Sequence, residues 1–165
     1  MEYVILVDTN DKEIGIEEKI NVHIEGKLHR ALSVLIFNSE GKILIQKRSA
    51  NKYHSLGLWS NSVCSHPRHN ETIEKAAHRR LKEEMGFDCK LTESFNFIYE
   101  ANLGDLIEYE FDHVFLGKYD GEINPNPDEV QDYKWVDKEE LKRDLKNNSQ
   151  KYTPWFIKLI REVKD

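Results

Sequence analysis

The sequence predicts an α/β or α+β sandwich, on three observations. Strand-like stretches alternate with a few amphipathic helices, a helix in mid-chain has its start and stop marked, and no Gly-rich phosphate loop follows a strand, which removes a Rossmann unit.

The marked helix lies in the stretch from Trp59 to Phe87, WSNSVCSHPRHNETIEKAAHRRLKEEMGF. Asn70 is placed to cap it, Glu71 and Glu74 put negative charge in its first turn, and Gly86 is the residue expected just past its end. At 100° per residue Ile73, Ala76, Ala77 and Leu81 form the inward stripe, and Arg80 and Glu84 fall inside it, one turn apart. Charges on an apolar face need a partner or a task, so an Arg80–Glu84 ion pair at the core's edge and a functional pair both stay open.

Before this helix, Tyr3, Ile5 and Val7 alternate as in a short strand, and Asp8-Thr9-Asn10-Asp11 makes a turn ahead of the acidic Glu17-Glu18. His23 and His29 flank a loop expected around Gly26, and a histidine beside a turn is more often exposed than ligating. The apolar runs from Ala31 to Phe37 and from Ile43 to Ile45, joined by Asn38-Ser39-Glu40-Gly41, read as a β-hairpin with both strands buried. Lys47, Arg48 and Lys52 gather at the end of its second strand, as a solvated edge or as the rim of a pocket.

After the helix, Glu93–Asn102 and Leu106–Lys118 read as a second hairpin turning at Gly104-Asp105. Period two places Glu108, Glu110 and Asp112 on one face of the second strand, with Tyr109, Phe111, His113 and Phe115 on the other. Carboxylates sharing a face repel each other, so unless that face is wet a cation belongs there. Asn124-Pro125-Asn126-Pro127 is a loop by composition, Val130–Val136 a strand and Lys138–Lys146 a helix. Thr153 as N-cap and Pro154 at the first position open a last helix whose inner side carries Trp155, Phe156, Leu159, Ile160 and Val163.

With 165 residues, one domain spanning 1–165 is expected. No run of about 18 apolar residues and no secretory pattern at the N-terminus occurs, so a cytoplasmic chain with no membrane partner is expected. Two cysteines, Cys64 and Cys89, exclude a Cys-rich zinc site and leave Cys64 a free thiol. A net charge of −6 argues against nucleic acid while permitting a local basic pocket for a small anion.

The central stretch resembles the Nudix box, in which a Gly, five residues, a Glu and seven residues precede Arg-Glu-U-x-Glu-Glu-x-Gly-U, U being apolar. Here the register runs from Ser65 through Glu71 to Arg79-Arg80-Leu81-Lys82-Glu83-Glu84-Met85-Gly86-Phe87. Ser65 replaces the first Gly and Arg80 the first Glu of the Arg-Glu pair, so the hydrolases' set of magnesium-binding carboxylates is incomplete. With Asn61 to Pro67 (NSVCSHP), Leu28 to Ala31, Glu108-Tyr109-Glu110, Asp128-Glu129-Val130 and Pro154-Trp155, the chain resembles the type 1 isopentenyl-diphosphate isomerases of the Nudix superfamily. Tyr53 to Gly57 departs from the aromatic-Pro-Gly that often precedes Trp59 in that family.

The resemblance implies a Nudix fold, a mixed sheet between helices, and interconversion of isopentenyl and dimethylallyl diphosphate through a tertiary carbocation. It implies that His23, His29, His66, Glu108 and Glu110 bind one divalent metal, and that Glu84 helps hold Mg2+ with the substrate diphosphate. Lys19, Arg48, Lys52 and Arg80 would face the diphosphate. Cys64 and Glu110 would be the catalytic pair, with Tyr99 as a possible relay and Trp155 offering a π face to the cation. Three imidazoles and two carboxylates suit Mn2+ or Zn2+ better than Mg2+. The expected partner is a small isoprenoid diphosphate, the expected state a monomer. A metal-dependent Nudix diphosphate hydrolase is the alternative, and a silent binding module with a structural metal is a third reading.

Overall fold

The structure is a computed structural model that describes residues 1–50, 52 and 54–163; Asn51 and Tyr53, within the basic cluster and the departing loop singled out above, lie outside the described residues. Among the described residues nine strands form one mixed sheet, and helices cover both faces. This is the Nudix fold expected from the resemblance.

The N-terminal hairpin β1 (Tyr3–Val7) and β2 (Glu13–Glu18) pairs antiparallel and runs into helix α1 (Lys19–Glu25), which ends at Gly26 in the left-handed conformation. His23 is therefore on a helix that the sequence did not signal, and the loop expected around Gly26 does lie between it and His29. Glu18, at the N-cap position, makes no side-chain cap bond, so this short helix carries no local start signal and is held by its contacts.

Strand β3 (His29–Phe37) and β4 (Ile43–Arg48) meet only at Phe37 and Ile43, which corrects the expected hairpin. β3 pairs in parallel with β8 (Ile107–Lys118) and antiparallel with β6 (Val63–Ser65). β4 pairs with β5 (Trp59–Ser60) and β9 (Val130–Val136). Apart from Ser33 the runs 31–37 and 43–45 are apolar because both faces are covered, and such runs do not reveal which strand lies alongside. The second hairpin forms as expected, β7 (Leu91–Asn102) on β8.

Helix α2 (Ile73–Met85) packs Ala76, Ala77, Leu81 and Met85 against Leu32, Val34, Ile36, Leu44 and Phe115 on one face of the sheet. On the other face, α3 (Lys138–Asn147) and α4 (Pro154–Glu162) bring Leu141, Phe156 and Leu159 against Leu35, Ile43, Ile45 and Val114. The cap of α2 is Thr72, whose hydroxyl accepts from the Lys75 amide at 3.2 Å. Asn70, expected there, has φ 67° and shapes the preceding turn instead. Gly86 closes the helix at φ 73°, and a Cβ there would lie 2.1 Å from the Asn124 carbonyl oxygen, so glycine is needed for the 124–130 loop to seat on the helix end. That seating is sealed by the Asn124 and Asn126 amides, which donate to the Met85 and Glu84 carbonyls at 3.1 and 2.9 Å.

Among the described residues no helix is long and apolar enough to cross a membrane.

Candidate active site and metal centre

The site is built where β3, β6 and β8 bring alternating side chains to one place. Parallel pairing sets His29 of β3 opposite Glu110 of β8, and antiparallel pairing sets Tyr99 of β7 opposite the same glutamate. β6 lays Cys64 beside Ser33 of β3, and His66 follows one residue past the strand. Helix α1 delivers His23.

The ligand atoms of His23, His29, His66 and Glu110 all lie within 4.8 Å of one another. His29 Nε2 stands 3.2 Å from His66 Nε2, and Glu110 Oε2 is 3.4 and 2.9 Å from these two nitrogens. The Nδ1 atoms of His23 and His29 face the backbone carbonyls of Lys19 and Lys27 at 2.7 and 3.0 Å; donating there leaves each Nε2 lone pair directed at the cluster. Glu108 joins through His23, at 3.4 Å, and through His54, at 2.7 Å. Its Oε2 is buried without a hydrogen-bond partner. Converging imidazole lone pairs, paired carboxylates and an orphaned carboxylate oxygen fit a divalent cation, and these are the residues that could hold one.

The carboxyl groups differ in state. Burial works against charge on Glu108, yet hydrogen bonds from His23 and His54 hold its carboxyl well below the usual range. Burial and the neighbouring Glu108 push Glu110 up. Burial, then the nearby His29 and Lys19, keeps His66 well below the ordinary imidazole value. Asp112, the third acidic residue of this strand face, is drawn away: it accepts from the Ser33 hydroxyl at 2.8 Å, and burial with Glu110 raises it well above the carboxylate range. The cation-binding face thus comprises two carboxylates rather than three.

Cys64 faces a different set of groups. Trp155 Nε1 donates to its Sγ at 3.2 Å, and the thiol lies 3.4 Å from Asn61 Oδ1 and 3.5 Å from Ser60 Oγ. Thr153, at the N-cap position, makes no cap bond; its hydroxyl meets Ser60 Oγ at 2.9 Å and ties the start of α4 to this network. Burial pushes the Cys64 thiol up to about 11, against the opposing pull of the Arg48 guanidinium. Burial thus outweighs the neighbouring cation and favours the thiol over the thiolate.

A cavity of about 730 Å³ opens over these groups. Cys64, His66, Glu108, Glu110 and Trp155 line it, together with all four expected diphosphate ligands, Lys19, Arg48, Lys52 and Arg80. Arg48 lies with its guanidinium carbon 5.1 Å from the Trp155 ring centroid. Trp155 is also part of the core cluster, so it both packs the last helix and lines the cavity. Glu84 and Tyr99 lie behind the wall: neither lines the cavity, and each has a buried oxygen without a hydrogen-bond partner, Glu84 Oε2 and the Tyr99 hydroxyl. Burial and the nearby Glu108 and Glu110 push the Tyr99 hydroxyl upward. Arg80 does contact Glu84, at 3.2 Å, but it also reaches Glu83 at 3.1 Å and donates to Glu129.

Three participants went unassigned in the sequence. His54 sits in the loop noted only as a departure from the family, Glu129 in a stretch noted only as part of the match, and Asn61 within the NSVCSHP run. Their roles arise from contacts 54, 49 and 3 residues away, to Glu108, Arg80 and Cys64, and no local spacing signals the two long ones.

The fold and this site define a Nudix protein. The chain belongs to that family: the NUDIX domain model matches residues 27–156. Within it the chain groups with the isopentenyl-diphosphate Delta-isomerases. It is 54% identical over 161 residues to isopentenyl-diphosphate Delta-isomerase 1 of Aromatoleum aromaticum, spanning 97% of this chain and 91% of that one. It is 53% identical over 160 residues to isopentenyl-diphosphate Delta-isomerase 2 of Photorhabdus laumondii, spanning 96% and 90%. Among solved structures, DR0079 from Deinococcus radiodurans superposes with TM-score 0.83 at 20% identity, covering 99% of this chain and 100% of that one, a likeness of fold.

Proposed function

We propose that the chain, as one domain over 1–165, is an isomerase that interconverts isopentenyl diphosphate and dimethylallyl diphosphate, acting as a monomer in the cytoplasm. The observation that carries this reading is that Cys64, His66, Glu108 and Glu110 line the same cavity as Lys19, Arg48, Lys52 and Arg80, with His23 and His29 buried behind them. Proton-exchanging groups and an anion-binding set thus share one small chamber.

An unactivated terminal alkene must accept a proton at its end carbon, pass through a tertiary cation and lose a proton from the adjacent methylene. That calls for two proton-exchanging groups and little water. Cys64, held as a thiol, and Glu110, raised by burial, are suited to exchange those protons. Tyr99, opposite Glu110 in the sheet with its hydroxyl unpartnered, is placed to pass a proton to it. Trp155 offers its ring face to the cation and its N–H to the sulfur. Lys19, Arg48, Lys52 and Arg80 would fix the diphosphate. When bound, Mn2+, Zn2+ or Mg2+ at His23, His29, His66, Glu108 and Glu110 would supply positive charge that anchors and polarises Glu110, and Mg2+ at Glu84 would neutralise the substrate's diphosphate.

The alternative, a diphosphate hydrolase, is disfavoured because Arg80 stands where the Nudix box carries a carboxylate and itself contacts the two that remain in its last turn, Glu83 and Glu84. Incubation with isopentenyl diphosphate with and without chelator tests the reading. Metal-dependent formation of dimethylallyl diphosphate supports it, and released phosphate supports the hydrolase.

A further inference from the structure

Glu129 occupies the charge that a substrate anion would need. Its Oε1 accepts a hydrogen bond from Arg80 and another from Lys52 Nζ at 3.3 Å, and all three residues line the cavity. Two of the four cations assigned to the diphosphate are therefore already paired with one carboxylate. The pairing is built into the loop: the Glu129 amide donates to the Asn126 carbonyl at 3.0 Å, its carbonyl accepts from the Ser49 amide at 3.2 Å, and Asn126 is itself bonded to the end of α2. The remaining Arg80 contacts go to Glu83 and Glu84, and its one unpartnered donor, Nε, is buried.

We propose that Glu129 is a resident counter-ion that competes with diphosphate for Arg80 and Lys52, and so limits how tightly substrate and product are held. This rests on the reading of those two cations as diphosphate ligands. A diphosphate has more charge and more acceptor oxygens than one carboxylate, so it wins the exchange, but only after two charge-assisted bonds to Glu129 are given up. Once it is bound, Glu129 is a like charge beside it and favours release. Without Glu129, Arg80 would keep Glu83 and Glu84 while the carboxylate shared with Lys52 would be gone, leaving more positive charge facing the cavity.

Calorimetric titration of inorganic diphosphate into the wild type, Glu129→Gln and Glu129→Ala, each with and without magnesium and with melting temperatures recorded, tests this. Two neutral replacements of different size separate charge from packing. The expected result is at least about fivefold tighter binding in both variants under both conditions, and a larger upward melting shift on adding diphosphate than in the wild type. Unchanged or weaker binding in the folded variants, beside normal uptake by the wild type, overturns the proposal alone. Weaker binding only when magnesium is present overturns it in favour of a magnesium-carrying Glu129. No uptake by the wild type or by either variant overturns the reading of Arg80 and Lys52 and the proposal with it.

Discussion

Trp155 Nε1 donates to Cys64 Sγ across 3.2 Å, so the last helix and the thiol of β6 form one unit at the cavity wall. The Ser60 hydroxyl, between Thr153 and Cys64, fastens the same two elements a second time. Cys64→Ala should keep the fold and the bound metal but lose about 10²-fold or more in kcat, because a methyl exchanges no proton. Trp155→Phe keeps an aromatic face and loses only the N–H, so a smaller loss is expected. Steady-state kinetics with metal analysis checks both; Cys64→Ala within about threefold of wild type would remove the thiol from the chemistry.

Arg80→Lys keeps the charge and loses the planar fork that can serve Glu84, Glu129 and a phosphate oxygen together. KM should rise by about tenfold, with the melting temperature nearly unchanged. A stability loss of roughly 3 kcal/mol at unaltered KM would instead make Arg80 a purely structural ion-pair partner.

The start of α2 should respond to acid. Glu71 receives Arg79 Nε at 2.7 Å and Nη2 at 2.9 Å, and this pairing holds its carboxyl below the ordinary value of 4.5. A depressed folded-state value means that the contribution is present above about pH 4.5 and is lost as pH falls through the folded value. Glu71→Gln should cost about 1 kcal/mol at pH 7 and show a shallower fall in stability below pH 4.5 than the wild type. Urea melts from pH 3 to pH 7 in roughly one-unit steps would show this, and parallel curves would contradict it.

Removal and return of metal should be visible without turnover. Chelator-treated protein should take up Mn2+ or Zn2+ and gain melting temperature as it does so. His29→Ala should weaken that uptake by at least about tenfold, and His54→Ala, which removes a partner of Glu108, by less. Equal uptake by wild type and His29→Ala would place the metal elsewhere.

What was legible in the sequence followed from period and punctuation. Ala76, Ala77 and Leu81 are buried on α2 with Glu84 among them, Gly86 ends the helix, and Glu108 and Glu110 share a face because strands alternate. What was not legible depended on long-range pairing. α1 lacks a capping side chain, β5 and β6 are two and three residues long, and β3 chooses β8 over β4 although β4 follows it after a short turn. Thr72 displaces Asn70 as the cap because the chain turns through left-handed backbone at Asn70 first. Glu129 has an ordinary acidic sequence context and gains its place only when the 124–130 loop closes on Gly86.

The central claim is that this cavity moves a double bond by proton exchange, and the most direct test is to follow isopentenyl diphosphate with the metal-loaded protein in deuterium oxide by proton, deuterium and phosphorus magnetic resonance. The account predicts conversion to dimethylallyl diphosphate with deuterium entering the newly formed methyl group and the diphosphate left whole. Release of phosphate, or product that carries no deuterium after many turnovers, would contradict it.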